Sequence, residues 1–432
     1  MRARLGRAAL LLCLSGLSAC GGSSSAPGSP PAWGQPETLG TAQQMGTLSG
    51  DGNGSAVAVW IPVAGPDEGA AIVARRLAPS TGWAPLETID PPGPNVFQDP
   101  VAAMDAQGSV VAVWPERSGL LASRFAAGAG WDRPTRISRE YPSPFFSISA
   151  VPVVGVFSGG RALVAWSECC GGSGAWEIGS NRFDPASGWL TPEVVWGIGS
   201  RSIASPALAV TATGSALAVW AEQRGATWGL WMSTFDPRRG WAVSQPVGAF
   251  EPASLVYGIR AARNDTGTGF ALWTRDDVLY ASRYTTVEGF ATPEALGRGG
   301  CQGLAVDAAG NALALWVQPP RLLALRYTAG RGWEPPVSLP PQDANGAGAL
   351  SMDAGGNAWF VWGDGTGLWA RRYLAGQGLG TAERVSPATG PNRVFAGIQV
   401  VADTAGGAVA TWLEPMSGSS SWTIMANRFA AR

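Results

Sequence analysis

Residues 301–339, CQGLAVDAAGNALALWVQPPRLLALRYTAGRGWEPPVSL, carry a pattern that returns along most of the chain. An apolar segment ends in an Asp-x-x-Gly turn, Asp307 to Gly310, in which the aspartate starts the turn and the glycine takes the positive-φ corner. The next segment, Asn311 to Trp316, alternates alanine with leucine before a terminal tryptophan, the period-two pattern of a strand buried on both faces. A third segment ends in Arg326-Tyr327. Gly332-Trp333 then opens a fourth, with an aliphatic residue six positions on at Leu339. One unit is therefore four short strands joined by tight turns.

Working outward, the second-strand tryptophan recurs at Trp60, Trp114, Trp166, Trp220, Trp273, Trp316, Trp362 and Trp412, which defines eight units. The Asp/Asn-x-x-Gly turn recurs at Asp51, Asp105, Asn264, Asp307, Asp353 and Asp403. The third strand ends in Arg plus an apolar or aromatic residue at Arg76, Arg124, Arg182, Arg283, Arg326, Arg372 and Arg428, and only the fourth unit departs, with Thr234-Phe235. Because these arginines stand near the sheet end that carries the turn aspartates, a structural carboxylate tie is expected. The fourth-strand pair reads Trp83/Ile89, Trp131/Ile137, Trp189/Val195, Trp241/Val247, Phe290/Leu296, Trp333/Leu339 and Leu379/Val385. The eighth unit stops at Phe429 without one, whereas Trp33 to Leu39 has the same spacing ahead of the first unit. The expectation is a ring, residues 33–432 at 50 residues per unit, closed by the N-terminal strand.

These repeats resemble a β-propeller, an all-β fold in which four-stranded blades surround a central channel, here with eight blades. The turns Phe183-Asp-Pro-Ala-Ser-Gly-Trp189 and Phe235-Asp-Pro-Arg-Arg-Gly-Trp241 are similar to a degenerate Asp-box, the hairpin of sialidase-like propellers. Other units put Pro79, Ala127 or Ala329 where the box has aspartate. The arginine triad and Tyr/Glu nucleophile of sialidases fall on no motif here. The Gly310-to-Trp316 spacing differs from the docking repeat of quinone-dependent propellers, so no cofactor is carried over.

Composition narrows the chemistry. Charged residues are 14%, and the chain has 60 Gly, 33 Pro and no His, which suits a turn-rich β protein. His-based catalysis and His metal ligands are thereby excluded, and no metal site is expected. All 30 basic residues are arginine and the formal charge is -1, which gives no nucleic-acid footprint. At the N-terminus Arg2, Arg4 and Arg7 precede an apolar run, Ala8 to Leu17, too short for a permanent span. Leu17-Ser-Ala-Cys20 resembles the lipobox of bacterial lipoproteins. That resemblance implies a signal peptide over residues 1–20, a lipid on Cys20, and an address in the bacterial cell envelope, with Gly21 pointing to the outer membrane. Residues 21–32, Gly/Ser/Pro-rich, read as a tether. Of the remaining cysteines, Cys169 and Cys170 are expected to pair with each other, or one of them with Cys301.

A candidate site follows from the loops after the second strands, which in a four-stranded blade share one face with the crossings between blades. An acid stands two residues after the tryptophan in five units: Trp114/Glu116, Trp166/Glu168, Trp220/Glu222, Trp362/Asp364 and Trp412/Glu414. The tryptophans read as core, with only indole edges reaching the channel mouth. The acids read as exposed there, where aromatic faces and carboxylates suit glycans, peptides or partner proteins. The favoured reading is a non-catalytic, monomeric, lipid-anchored binding propeller without a cofactor. The alternative is a glycan-acting hydrolase or lyase using two of the mouth carboxylates.

Overall fold

The computed structural model describes residues 32–430 apart from 65–68, 94–97, 117–118, 141–146, 149–150, 170–175, 201, 204–205, 253–255, 340–346 and 388–393. The expected signal peptide, Cys20, the expected tether up to residue 31 and Cys170 lie outside the described residues. Eight antiparallel sheets follow one another in chain order, each with the topology read from the repeat. Blade one has Gln44–Gly50 innermost, then Ala56–Ile61, Ala70–Ala78 and an outer strand in two pieces, Gly82–Trp83 and Glu87–Gly93. The outer strand leaves the ladder after its Gly-Trp and rejoins further on. The same short bond marks the break in successive blades: Ala84 N to Arg76 O, Asp132 N to Arg124 O, Leu190 N to Arg182 O.

The eighth blade contains Ala396–Ala402, Ala408–Pro415 and Trp422–Phe429, and its outer strand is Glu37–Ala42 from the other end of the chain. Trp33 bridges Phe429, Gly34 N donates to Arg428 O at 2.9 Å, and Thr38 lies opposite Met425. This is the outer-strand geometry of blade one, supplied from 390 residues away. The ring is also closed at its inner edge. Gln399 of blade eight accepts from Leu48 N at 2.6 Å and donates to Gly46 O at 2.8 Å on the first strand of blade one.

The alternation read in the second strands decides how blades stack. Ala56, Ala58 and Trp60 face blade eight together with Val409 and Leu413, whereas Val57, Val59 and Ile61 face Ala112, Trp114 and Phe125 of blade two. Each tryptophan thus fills the space toward the preceding blade. Trp60, Trp114, Trp166, Trp220, Trp362 and Trp412 are below 2% exposed. Burying about 150–250 Å² each at about 25 cal/mol/Å² gives an upper bound of roughly 4–6 kcal/mol per indole. The opposite strand makes room: a Cβ on Gly179 would lie 2.6 Å from the Trp166 ring.

The expected carboxylate tie forms in several blades, but its carboxylates are not the turn aspartates. The turn aspartates cap their own hairpins, Asp51 Oδ1 accepting from Asn53 N and Ser55 N at 2.7 and 3.0 Å. They also belong to a belt of blade-to-blade bonds, such as Gly160 N to Asp105 Oδ2 at 3.0 Å and Thr404 N to Gly52 O at 2.9 Å. The arginines turn instead to fourth-strand glutamates, as in Arg76–Glu87 and Arg326–Glu334, and to the third-strand aromatic of the next blade. Arg76 lies 3.9 Å from the Phe125 centroid, Arg124 5.3 Å from Phe183 and Arg182 5.4 Å from Phe235. These contacts contribute about 0.5–1 kcal/mol each at partly exposed sites.

The cysteines do not form the expected cross-bridge. Cys301 is buried in blade six with its thiol pushed up to about 11 by burial, while Cys169 ends a strand of blade three, and both are free thiols.

Ring closure predicts unequal truncations. Deleting Trp33 to Leu39 exposes a sheet edge and strips the eighth blade. Its melting temperature should fall well below that of a variant lacking only Ser23 to Ala32, which should melt like the parent.

Candidate functional site

The loops from second to third strand and the crossings between blades emerge on one face of the ring, here called the upper face. All five acids read from the repeat reach that end of their strands, but each is engaged within or beside its own blade. Glu168 is 1% exposed and accepts from Trp166 Nε1 at 2.6 Å; Glu222 is buried and paired with Arg224 at 3.1 Å. Glu414 accepts from Trp412 Nε1 at 3.0 Å. Asp364 caps a turn, accepting from Thr366 N at 2.9 Å and Gly367 N at 3.1 Å. Glu116 is half-buried, and burial followed by the Asp90 carboxylate of blade one raises its pKa, with Arg136 opposing. The exposed acids expected at the mouth are therefore, for Glu168 and Glu222, buried hydrogen-bond partners. Their tryptophans Trp114, Trp166, Trp220, Trp362 and Trp412 are core, and none of the ten residues lines the cavities described next.

Two recesses of the upper face border blade five, where the acid is missing. The position two after Trp273 is Arg275, and two after Trp316 it is Gln318. Arg275 and Val278 are paired across a two-residue hairpin, with Asp276 and Asp277 at φ 47° and 62°. Two positive φ values define the turn whose twist matches the flanking strands, a conformation aspartate tolerates better than most residues. The turn aims Asp277 outward: its carbonyl accepts from Gly299 N at 2.8 Å and its carboxylate from the Tyr257 hydroxyl at 2.9 Å. Burial, then the bond to Asp277, raises the Tyr257 phenol, so it stays a protonated donor at neutral pH.

These two residues line a cleft of about 770 Å³ between blades five and six, together with Arg298, Gln302, Gln318 and Arg321. The side chains of Arg298 and Arg321 have no ion-pair or hydrogen-bond partner among the described residues. Tyr257 also borders the upper part of the central channel, about 780 Å³, walled by Val101, Val151, Pro152 and Pro206 and carrying Arg260. The result is an open, cation-rich recess with one carboxylate, one phenol and two amides beside an apolar channel wall. Chemically it offers many donors to an acceptor-rich, anionic group. Among the described residues no cluster of acids or cysteines stands close enough to hold a metal ion.

Sequence reasoning passed over Tyr257, Asp277, Arg298, Gln302, Gln318 and Arg321 because they follow no repeat. The available signal was the reverse one, two consecutive units lacking the acid.

No protein-family model matches the chain, and no curated relative is similar to it in sequence. Solved structures share its fold. The Dos1 propeller is similar over 92% of this chain and 95% of its own, at a TM-score of 0.53 and 8% identity. Puromycin hydrolase, as its S511A mutant complexed with PGG, matches over 86% of this chain with a TM-score of 0.52 and 14% identity, this chain spanning only 58% of that enzyme. The polysaccharide lyase Uly1 matches over 95% and 94% of the two chains, at a TM-score of 0.50 and 10% identity. At these identities the likeness is one of architecture.

The acids should separate by mutation. Glu168→Ala leaves the buried Trp166 N–H without its acceptor and should cost about 1–3 kcal/mol in denaturant unfolding. Glu116→Gln should instead stabilise. A carboxyl with a raised folded pKa favours the fold below its unfolded pKa, and that contribution is lost as pH rises through the folded value. The gain from glutamine should therefore be present at pH 7 and fade toward the ordinary glutamate value of 4.5.

Proposed function

We propose that this chain is a monomeric, envelope-displayed binding propeller, attached through a lipid on Cys20, that captures an anionic ligand at the cleft between blades five and six. The ligand is a glycan, peptide or partner protein that presents carboxylate, sulfate or phosphate. The observation that carries the reading is the pair of unpartnered arginines, Arg298 and Arg321, flanking the Tyr257–Asp277 hydrogen bond in an open recess. A charge left without a counter-ion at a concave surface favours an oppositely charged visitor. The raised phenol supports binding over nucleophilic attack, because Tyr257 is held in its protonated form. No nucleic-acid partner fits a chain whose formal charge is -1.

One observation favours a second reading, a glycan-acting hydrolase or lyase. Asp90 and Glu116 face each other across blades one and two, and both carboxyls are raised by burial, the condition a general acid needs. Release of labelled saccharide from acidic glycans, abolished by Asp90→Asn, would establish that reading.

The experiment is direct binding to panels of acidic and neutral glycans and acidic peptides. Replacing Arg298 and Arg321 together with glutamine should weaken capture of the anionic ligand by about tenfold or more per lost charge-assisted bond. The melting temperature should stay at the parent value. A double variant that binds as tightly as the parent, or a parent that captures only neutral ligands, would overturn the assignment.

A further inference from the structure

Blade seven departs from the repeat at a position that the other blades keep aromatic. Their outer strands open with a tryptophan or, in blade five, with Phe290, whereas blade seven opens with Gly378-Leu379. The proline that follows the ring elsewhere, as at Pro134 and Pro293, is missing too, and Gly378–Arg384 runs as one strand. The ring normally sits in a bay between blades. Trp131 packs against Val57 and Val59 of blade one, and Trp333 lies 5.9 Å from Phe270 of blade five. Leucine fills less of this bay, and a groove of about 510 Å³ opens between blades six and seven, lined by Leu313, Arg326, Glu334, Val337, Tyr373 and Leu379.

Blade two shows what the bay holds when it is filled. Trp131 packs on Phe125 with centroids 5.6 Å apart, while Arg76 lies 3.9 Å from the same Phe125 centroid. The indole Nε1 donates to Glu87 Oε2 at 2.8 Å, and Glu87 Oε1 takes Arg76. The groove repeats every member of this set except the indole. Tyr373 stands for Phe125, Arg326 for Arg76 at 6.0 Å from the Tyr373 centroid, and Glu334 for Glu87. Glu334 Oε1 accepts from Arg326 at 3.0 Å and from the Thr328 hydroxyl, whereas Oε2 accepts no hydrogen bond among the described residues. The Glu334 side chain is 40% exposed, so that oxygen can be reached from solvent. Phe125, Phe183, Phe235, Tyr284, Tyr327 and Phe429 each meet the ring of their own outer strand, and Tyr373 meets Leu379 instead.

This set specifies an occupant. An aromatic ring can pack edge-on to Tyr373 over Leu379, and an N–H on that ring finds a carboxylate oxygen in place. The chain has no ring of its own to offer, because all 21 of its tryptophans lie among the described residues and none of them is exposed. In the other blades the bay takes a ring carried on main chain, and the groove exceeds a single indole in volume. Flanking main chain has room beside the exposed Pro335, Val337 and Gln377. We infer that the groove between blades six and seven docks a tryptophan side chain of a partner polypeptide, its indole N–H donating to Glu334 Oε2. None of the groove's residues lines the cleft between blades five and six, and the inference does not rest on the function proposed for that cleft.

The test titrates the full chain into the fluorescein-labelled peptide Gly-Ser-Gly-Trp-Gly-Ser, read by anisotropy, and into the same peptide with 1-methyltryptophan or leucine in place of tryptophan. The expected result is saturable binding of the tryptophan peptide, binding about tenfold weaker without the indole N–H, and none with leucine. Leu379→Trp, which supplies from the chain itself the ring that other blades carry, should abolish binding and melt at or above the parent temperature. Glu334→Ala should bind the tryptophan and 1-methyltryptophan peptides alike. The Arg298→Gln/Arg321→Gln variant should bind as the parent does, which keeps failure of the groove distinct from failure of the cleft. Absence of saturable binding, equal binding of the leucine peptide, or binding retained by Leu379→Trp would overturn the inference. Free indole binding as tightly as the peptide would give the groove to a small molecule and overturn the partner assignment.

Discussion

Everything in this molecule depends on one contact, the indole that ends each second strand pressed against the blade before it. The alanines that alternate with branched residues along those strands keep the facing surfaces low, so that sheets approach closely and the tryptophan becomes the one large body in the gap. Removing such a buried aromatic costs about 3–5 kcal/mol where neighbours cannot collapse, against about 0.5–1 kcal/mol for each Arg–aromatic contact on the rim. A stack of this kind is stable only when every blade has two neighbours, because an end blade would expose its apolar face to water. Closure by Glu37–Ala42 is thus a requirement of the same contact.

Given a ring of equivalent blades, function resides where equivalence fails. In five blades the residue two beyond the tryptophan is an acid, and in three of them that acid either accepts the indole proton or pairs with an arginine two residues on. Blade five places Arg275 there and closes its hairpin in two residues, both aspartates at positive φ. A carboxylate is thereby placed at the surface, where it accepts from the Tyr257 hydroxyl in the cleft that Arg298 and Arg321 also line. The two recesses flanking the hairpin differ in character: Arg298 and Arg321 line one, and Trp228, Tyr280 and Phe290 border the other.

The architecture was legible because its signals are periodic. Eight tryptophans, a turn with fixed spacing and one fourth strand displaced to the N-terminus specify blade number and closure without knowledge of any contact. The arginine partners were not legible, because Glu87 is eleven residues from Arg76 across a hairpin whose register the chain alone does not reveal. The burial of Glu168 and Glu222 was missed for a related reason: a residue two beyond a buried tryptophan continues the same strand face, and the strands here run on to Cys169 and Arg224. Tyr257, Asp277, Arg298 and Arg321 come from four separate strand ends or turns of two blades, and only folding brings them together.

Hydrogen exchange read by mass spectrometry tests the closed ring most directly. The amides of Glu37–Ala42 should be as strongly protected as those of Trp422–Phe429, with which they pair, and the two segments should open together on mild destabilisation. Rapid exchange in the N-terminal segment while Trp422–Phe429 stays protected would show that the eighth blade lacks its fourth strand, and the account of the ring would be contradicted.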